Sequence, residues 1–391
     1  MNGALLDRLT VFHRLADDPV LAALRAFYAA PSAAAYTAVA AALYDTGTAC
    51  LSDHIRDLVD TDDNAYIRLL AKGDTPSSTM RRAVDADLAV LQMVADLTPA
   101  ELQAAFDADG FLPEWDNLPL DLLQRYHSRA AAVGRYGYGD YAKYPMFTLS
   151  DEGRILPVQY PDPVRLSDLA GYAREKAIIL TNTRALLEGK PAANMLLTGD
   201  AGTGKSSTVK AVVNELRDEG LRILEIRKEQ LHLIPAVMDE LAVNPLKFIV
   251  FIDDLSFARD DDNFGALKAI LEGSVAAKSN NVVIYATSNR RHLVRETFSE
   301  RDGDDVHLND TLQEIVSLSE RFGIRVTFQR PDKAAYLAIV RELVEARGIA
   351  YDPHKLEIAA ERFALTRGTR SPRAAKHFAD SLLTGSAEEI Q

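Results

Sequence analysis

Gly199-Asp200-Ala201-Gly202-Thr203-Gly204-Lys205-Ser206 follows the spacing GxxxxGK[ST], with Ser207 directly behind it. The stretch lies between an apolar run, Met195 to Leu197, and a helical pattern that begins at Lys205, the context a phosphate cradle needs. Glycines let the backbone curl so that successive N–H groups point inward at phosphate oxygens, and the helix start adds the favourable end of its dipole. Lys205 is then expected at the β- and γ-phosphates, and the Ser206 hydroxyl on Mg²⁺. A glycine-rich turn that fits the spacing by chance is the alternative, and the flanking strand and helix oppose it.

A second element, "FIVFIDDLSF", carries Asp253 and Asp254 at the end of a buried apolar run. Strand ends of open α/β sheets are where ligands bind, so Asp253 is expected beside the phosphate loop as the Mg²⁺-side carboxylate. Asp254 stands where a carboxylate would orient and polarise an attacking water. The third element, "VVIYATSNRRHL", ends a further run in Thr287-Ser288-Asn289. The Asn289 amide is expected at the same edge, hydrogen-bonding both γ-phosphate and water.

Elements must hold these groups in place. Five short apolar, β-branched runs (194–198, 222–227, 248–253, 282–287 and 324–328) alternate with helical sequence. That alternation predicts a doubly wound α/β core around a five-stranded parallel sheet covered on both faces. Before it, apolar residues three or four apart ("ALLDRLTVFHRL", "VLAALRAFYAA", "DADLAVLQMVADL") predict an all-helical region, with Thr98-Pro99-Ala100-Glu101 as a capping box. "GRYGYGDYAKYPMF" (134–147) breaks that pattern. It reads as a packed connector in preference to an aromatic stacking platform, because its only cations are Arg135 and Lys143. After Arg330 come three helical patterns, two starting at Asp-Pro or Ser-Pro and all ending at Gly, which predict a small helical lid. The predicted division is 1–145 helical domain, 146–165 connector, 166–330 P-loop core and 331–391 lid.

Composition narrows the functional classes. The chain has 391 residues, 47% hydrophobic and 26% charged, ordinary for globular protein. Its single cysteine, Cys50, excludes an internal disulfide and suits a cytoplasmic home. Asp7 and Arg8 interrupt the first apolar stretch, which argues against a signal peptide, and no window is apolar enough for a membrane span. A net charge of −13, with 12 Lys and Arg against 20 Asp and Glu in residues 1–150, argues against nucleic acid as partner. His13, His54 and His127 lack metal-ligand spacing and read as structural.

The order of phosphate loop, "FIVFIDD", "YATSN", "SLSERFGIRVTF" and "RGTRSPRAAKHF" resembles an AAA+ ATPase. The wording around it ("FIDDLSF", "LKAILEGS", "YATSNRRHL", "SLSERFG") is similar to an uncharacterised bacterial AAA+ family of unknown function, over roughly Leu166 to Asp380. The resemblance implies that Arg321 is an arginine finger acting on a neighbouring subunit's nucleotide, in a ring or open spiral of identical chains. It implies that Arg373 is a second sensor of the γ-phosphate, with Arg370 as the fallback. "LSDLAGYAREK" resembles the family's adenine-side stretch, which would bring Leu169, Gly171 and Tyr172 to the base pocket. ATP and Mg²⁺ are the implied ligands, hydrolysis the implied activity, and remodelling of a protein client the implied work.

One departure matters. Many AAA+ members carry Asp-Glu where this chain has Asp253-Asp254, and the bacterial replication initiator resembles the Asp-Asp form. A slowly hydrolysing, ATP-controlled assembly switch is therefore the alternative function. A small-molecule kinase fits less well, since such enzymes usually lack the sensor strand, the arginine after "SLSE" and the lid. Arg290, Arg291, His292 and Arg295 read as a subunit interface, because Asp302, Asp304 and Asp305 follow and would repel phosphate.

Overall fold

The computed structural model describes residues 3–255, 267, 270, 271, 280–289 and 320–385. The charged stretch Arg290 to Asp305 lies outside them. The chain divides into two compact units, one of residues 1–144 with 243–246, the other of residues 145–242 with 247–391.

The first unit is helical: α1 Pro19–Ala29, α2 Ala33–Asp45, α3 Leu51–Thr61, α4 Ala65–Ala71, α5 Ser78–Ala95, α6 Pro99–Gln103, α7 Leu122–Ala131, α8 Val133–Tyr136 and α9 Asp140–Lys143. Side chains at the N-caps start them, among them Asp18, Ser32, Asn64, Ser77 and the Thr98–Glu101 capping box. The first pattern, "ALLDRLTVFHRL", is not one α-helix but two 3₁₀ turns, Gly3–Arg8 and His13–Asp17. The cause is Asp87 of α5, a buried carboxylate that accepts the N–H groups of Thr10, Val11 and Phe12 at 2.9, 2.7 and 3.1 Å. Three donors committed to one side chain cannot also close helical turns. His54 and His127 pair with Asp18 and Asp85 at 3.0 and 2.7 Å, and His13 bonds the Thr10 carbonyl. Among the described residues no cluster of His, Cys, Asp or Glu could hold a metal by itself.

The second unit is built on one sheet. Its strands are β1 Met146–Leu149, β2 Ile155–Pro157, β3 Met195–Gly199, β4 Leu221–Ile226, β5 Lys247–Ile252, β6 Val282–Ser288 and β7 Ile324–Phe328, in the order β2-β1-β4-β5-β6-β3-β7. Every pairing is parallel except β1 with β2. The five expected strands form β4-β5-β6-β3-β7, and residues 146–157 extend the sheet beyond β4. Continuous burial along β3 and β6 reflects helices on both faces, including α10 Ala173–Leu187, α11 Lys205–Leu216 and α12 Ile234–Ala242. A lid of α13 Lys333–Ala346, α14 Pro353–Thr366 and α15 Pro372–Leu383 packs its own core around Tyr336, Val340, Leu356 and Phe378. The second unit is thus an α/β fold on a mostly parallel sheet with a small helical lid, and the first is all-helical. Among the described residues no helix is long and apolar enough to cross a membrane.

Candidate functional site

Strand order decides what meets at the carboxyl edge. β6 lies between β3 and β5, so the ends of these three strands deliver Gly199, Asn289 and Asp253 side by side. Ile252 pairs with Ala286 and Thr198 with Ser288; one step further, Asp253 stands opposite Thr287 and Gly199 opposite Asn289.

The loop from Gly199 to Gly204 needs its glycines. Gly199 has φ +143, and a Cβ there would fall 2.1 Å from the Phe328 carbonyl oxygen of β7. Gly204, at φ +92, is the cap from which α11 starts, so Lys205 is the first helical residue. Thr203 steadies the turn by donating to the Asp200 carbonyl at 2.8 Å. Ala201 and Asp200 are exposed at the loop's outer side.

Lys205 is buried, and its ammonium donates to Gly199 O at 2.7 Å, Asp200 O at 2.9 Å and Asn289 Oδ1 at 2.9 Å. Burial pushes its pKa below the usual lysine range, against the opposing pull of Asp253, Asp254 and Asp200. A poorly hydrated cation of this kind gains strongly from a phosphate oxygen placed beside it. Ser206 donates to Asp253 Oδ1 at 2.6 Å. Asn289 turns its other side to Asp254, with Nδ2 donating to Asp254 Oδ1 at 2.7 Å. Lysine only donates and carboxylate only accepts, so this amide orientation is the one that satisfies both neighbours. Asp254 is exposed and sits at φ +51, in the left-handed region that non-glycine residues rarely adopt.

Thr287, whose role no contiguous motif marks, is 2% exposed. Its hydroxyl donates to Asp253 Oδ1 at 2.5 Å and accepts the Asp254 N–H at 3.0 Å.

A cavity of 480 Å³ runs from the phosphate loop to the lid, within the range of small-molecule sites. Gly202, Thr203, Gly204 and Ser207 form its loop end, Leu169 and Tyr172 part of one wall, and Arg373 with His377 of α15 part of another. The lid reaches the loop directly: the Arg373 N–H donates to Gly202 O at 3.2 Å. A Cβ on Gly202 would sit 3.2 Å from that of Arg373. Arg370, the fallback, is committed elsewhere, gripping Glu361 through two bonds of 2.9 and 2.8 Å. Gly171 does not line the cavity. Its N–H donates to Glu342 of α13 at 3.2 Å, and its missing side chain leaves room for Ile339. Tyr172, itself at φ +53, packs on Phe328 with ring centres 5.1 Å apart and the planes tilted by 43°, and donates to Gln329 O at 2.6 Å. Burial pushes its hydroxyl pKa up, which keeps it a neutral donor. Lys176, a wall residue the sequence did not single out, donates to Leu169 O and fixes the turn before α10. Arg321 is half-buried just before β7 and does not line the cavity.

The donor set fits Mg²⁺. That ion keeps several waters and takes one or two protein oxygens together with substrate phosphates. Ser206 and Asp253, already in contact at the loop's base, supply such a pair.

No curated protein matches the chain. Among solved structures, the Thermotoga maritima RuvB Holliday junction branch migration motor is similar at 16% identity and a TM-score of 0.39, over 59% of this chain and 68% of that one. Its R170A form gives 16% identity and a TM-score of 0.39, over 59% and 70%. The family described as "Protein of unknown function (DUF815)" matches residues 142–386, more than half of the chain, a span that includes Gly199 to Ser206, Asp253, Asp254, Thr287 and Asn289. The chain belongs to the DUF815 family.

Proposed function

We propose that this chain binds ATP with Mg²⁺ in the cavity beside the phosphate loop and hydrolyses it, at a site completed by Arg321 of a neighbouring copy. The observation that carries the reading is the polar chain Lys205–Asn289–Asp254 lying against the Ser206–Asp253 pair. Each group has a task there. Backbone N–H groups of residues 202–206 and the start of α11 would hold the β-phosphate. Lys205 would leave its carbonyl partners for the β- and γ-oxygens, neutralising charge as the terminal phosphoryl group departs. Ser206 and Asp253 would hold Mg²⁺, which supplies further charge neutralisation on the same oxygens. Asp254 and Asn289 would then share the attacking water, the carboxylate taking its proton and the amide fixing its approach. Arg373, on a helix bonded to Gly202, couples the lid to the phosphate end of the nucleotide. The acidic N-terminal unit suits a protein client better than nucleic acid.

A second reading, a slow ATP-controlled assembly switch, has its own support. The Asp254 carboxylate is one methylene shorter than a glutamate and is already engaged by Asn289 at 2.7 Å.

Mixing tests the shared site. Arg321→Ala and Lys205→Ala chains, each inactive alone, should regain part of the wild-type turnover when combined, because one good loop can meet one good finger. Light scattering should show ATP-dependent assembly of the Arg321→Ala chain and of the mixture, and none of the Lys205→Ala chain alone. Wild-type turnover without any recovery on mixing would contradict an arginine acting between copies.

A further inference from the structure

Asp253 and Asp254 are consecutive yet have different work to do. In an extended strand neighbouring side chains point to opposite faces, so both reach the phosphate edge only if the chain bends sharply between them. The bend is the left-handed Asp254, φ +51. A conformation of that kind persists only where its surroundings over-determine it. Here the Asp254 N–H has two acceptors, Asp253 Oδ1 at 3.1 Å and Thr287 Oγ1 at 3.0 Å.

We propose that Thr287 is a positioning residue of the site, one buried hydroxyl that sets both carboxylates. Its single hydrogen goes to Asp253 Oδ1, which accepts and cannot donate, and this leaves a lone pair for the Asp254 N–H. The first bond turns the Asp253 carboxylate toward Ser206; the second holds the bend that brings Asp254 round to Asn289. Parallel register fixes Thr287 for the task, since β5 and β6 set it opposite Asp253. Neighbouring Ser288 is fully buried and makes neither bond. The inference rests on the ATPase reading of the same site.

Thr287→Val keeps the shape and removes the hydroxyl; Thr287→Ser keeps the hydroxyl. Turnover should fall roughly 10- to 100-fold in the valine variant, the scale of a small misplacement of catalytic groups, and return with serine. Binding of a fluorescent ATP analogue separates positioning from general damage. In EDTA the valine variant should match wild type, whereas the tightening given by added Mg²⁺ should shrink, with serine again restoring it. Thr287→Ala serves as the second variant where valine does not fold. Wild-type turnover and wild-type Mg²⁺ response in the valine or alanine variant would overturn the proposal. So would an equal loss of affinity in EDTA and Mg²⁺ that serine does not restore. Absence of turnover in the wild type would instead defeat the ATPase reading, and the Mg²⁺ response would still decide the role of Thr287.

Discussion

Replacing Gly199 by alanine tests the steric account of the phosphate loop. Gly199 closes β3 opposite Phe328 of β7, and the added Cβ would lie 2.1 Å from the Phe328 carbonyl oxygen. Ordinary contact begins near 3.4 Å, so two paired strands would have to part by more than an ångström. Overpacking of this kind costs about 1–3 kcal/mol. Holding alanine at φ +143 adds a similar amount, about 1–3 kcal/mol. Gly204→Ala is the internal control, for it carries the backbone penalty at φ +92 but meets nothing within 4 Å. Thermal unfolding followed by calorimetry should therefore place Gly199→Ala below Gly204→Ala, and both below wild type. The gap between the two variants is expected at roughly 5 °C for a unit of this size. Equal melting temperatures for the two variants would refute the argument that the Phe328 carbonyl dictates glycine at 199.

Other consequences follow from the lid. Arg370→Ala should lower the melting temperature and leave nucleotide affinity intact, because Arg370 grips Glu361 and does not line the cavity. Arg373→Ala should do the reverse, weakening ATP binding severalfold with little change in melting; exchange of these two phenotypes would contradict the assignment. The Arg370 hydrogen bonds also hold the Glu361 carboxyl below its usual 4.5. The stabilisation it gives is thus fully present above that pH and is lost as pH falls through the lowered value. Glu361→Gln should flatten the acid limb of the melting curve below pH 4.5, and an unchanged limb would show that the pair contributes nothing.

Much of the site was legible because phosphate loops and strand-end carboxylates write their chemistry into short contiguous patterns. Lys205, Ser206, Asp253, Asp254 and Asn289 meet as the residues predicted, since each lies at the end of a strand or the start of a helix that the apolar runs announce. Thr287 was invisible for the opposite reason. Its role exists only across the sheet, and the register that sets it against Asp253 requires knowing that β6 neighbours β5. The different surroundings of Arg370 and Arg373 likewise follow from where α15 begins: Ser371 caps the helix, so Arg373 falls in its first turn beside Gly202, and Arg370 is left outside facing Glu361. The stretch that holds β1 and β2 reads as a short extended connector, and its brevity with Pro145 and Pro157 conceals that it joins the sheet beside β4. In the N-terminal unit, periodicity found helices but could not foresee that Asp87, far along the chain, would take the backbone donors of residues 10–12.

The most direct measurement is Mg²⁺-dependent ATP turnover by the purified full chain, run with ATP binding on wild type, Lys205→Ala and Asp254→Asn. The account predicts that wild type binds and hydrolyses ATP, that Lys205→Ala loses binding, and that Asp254→Asn binds ATP while its turnover falls about 100-fold or more. A wild-type chain that binds no ATP, or Lys205→Ala and Asp254→Asn chains that turn it over at the wild-type rate, would contradict it.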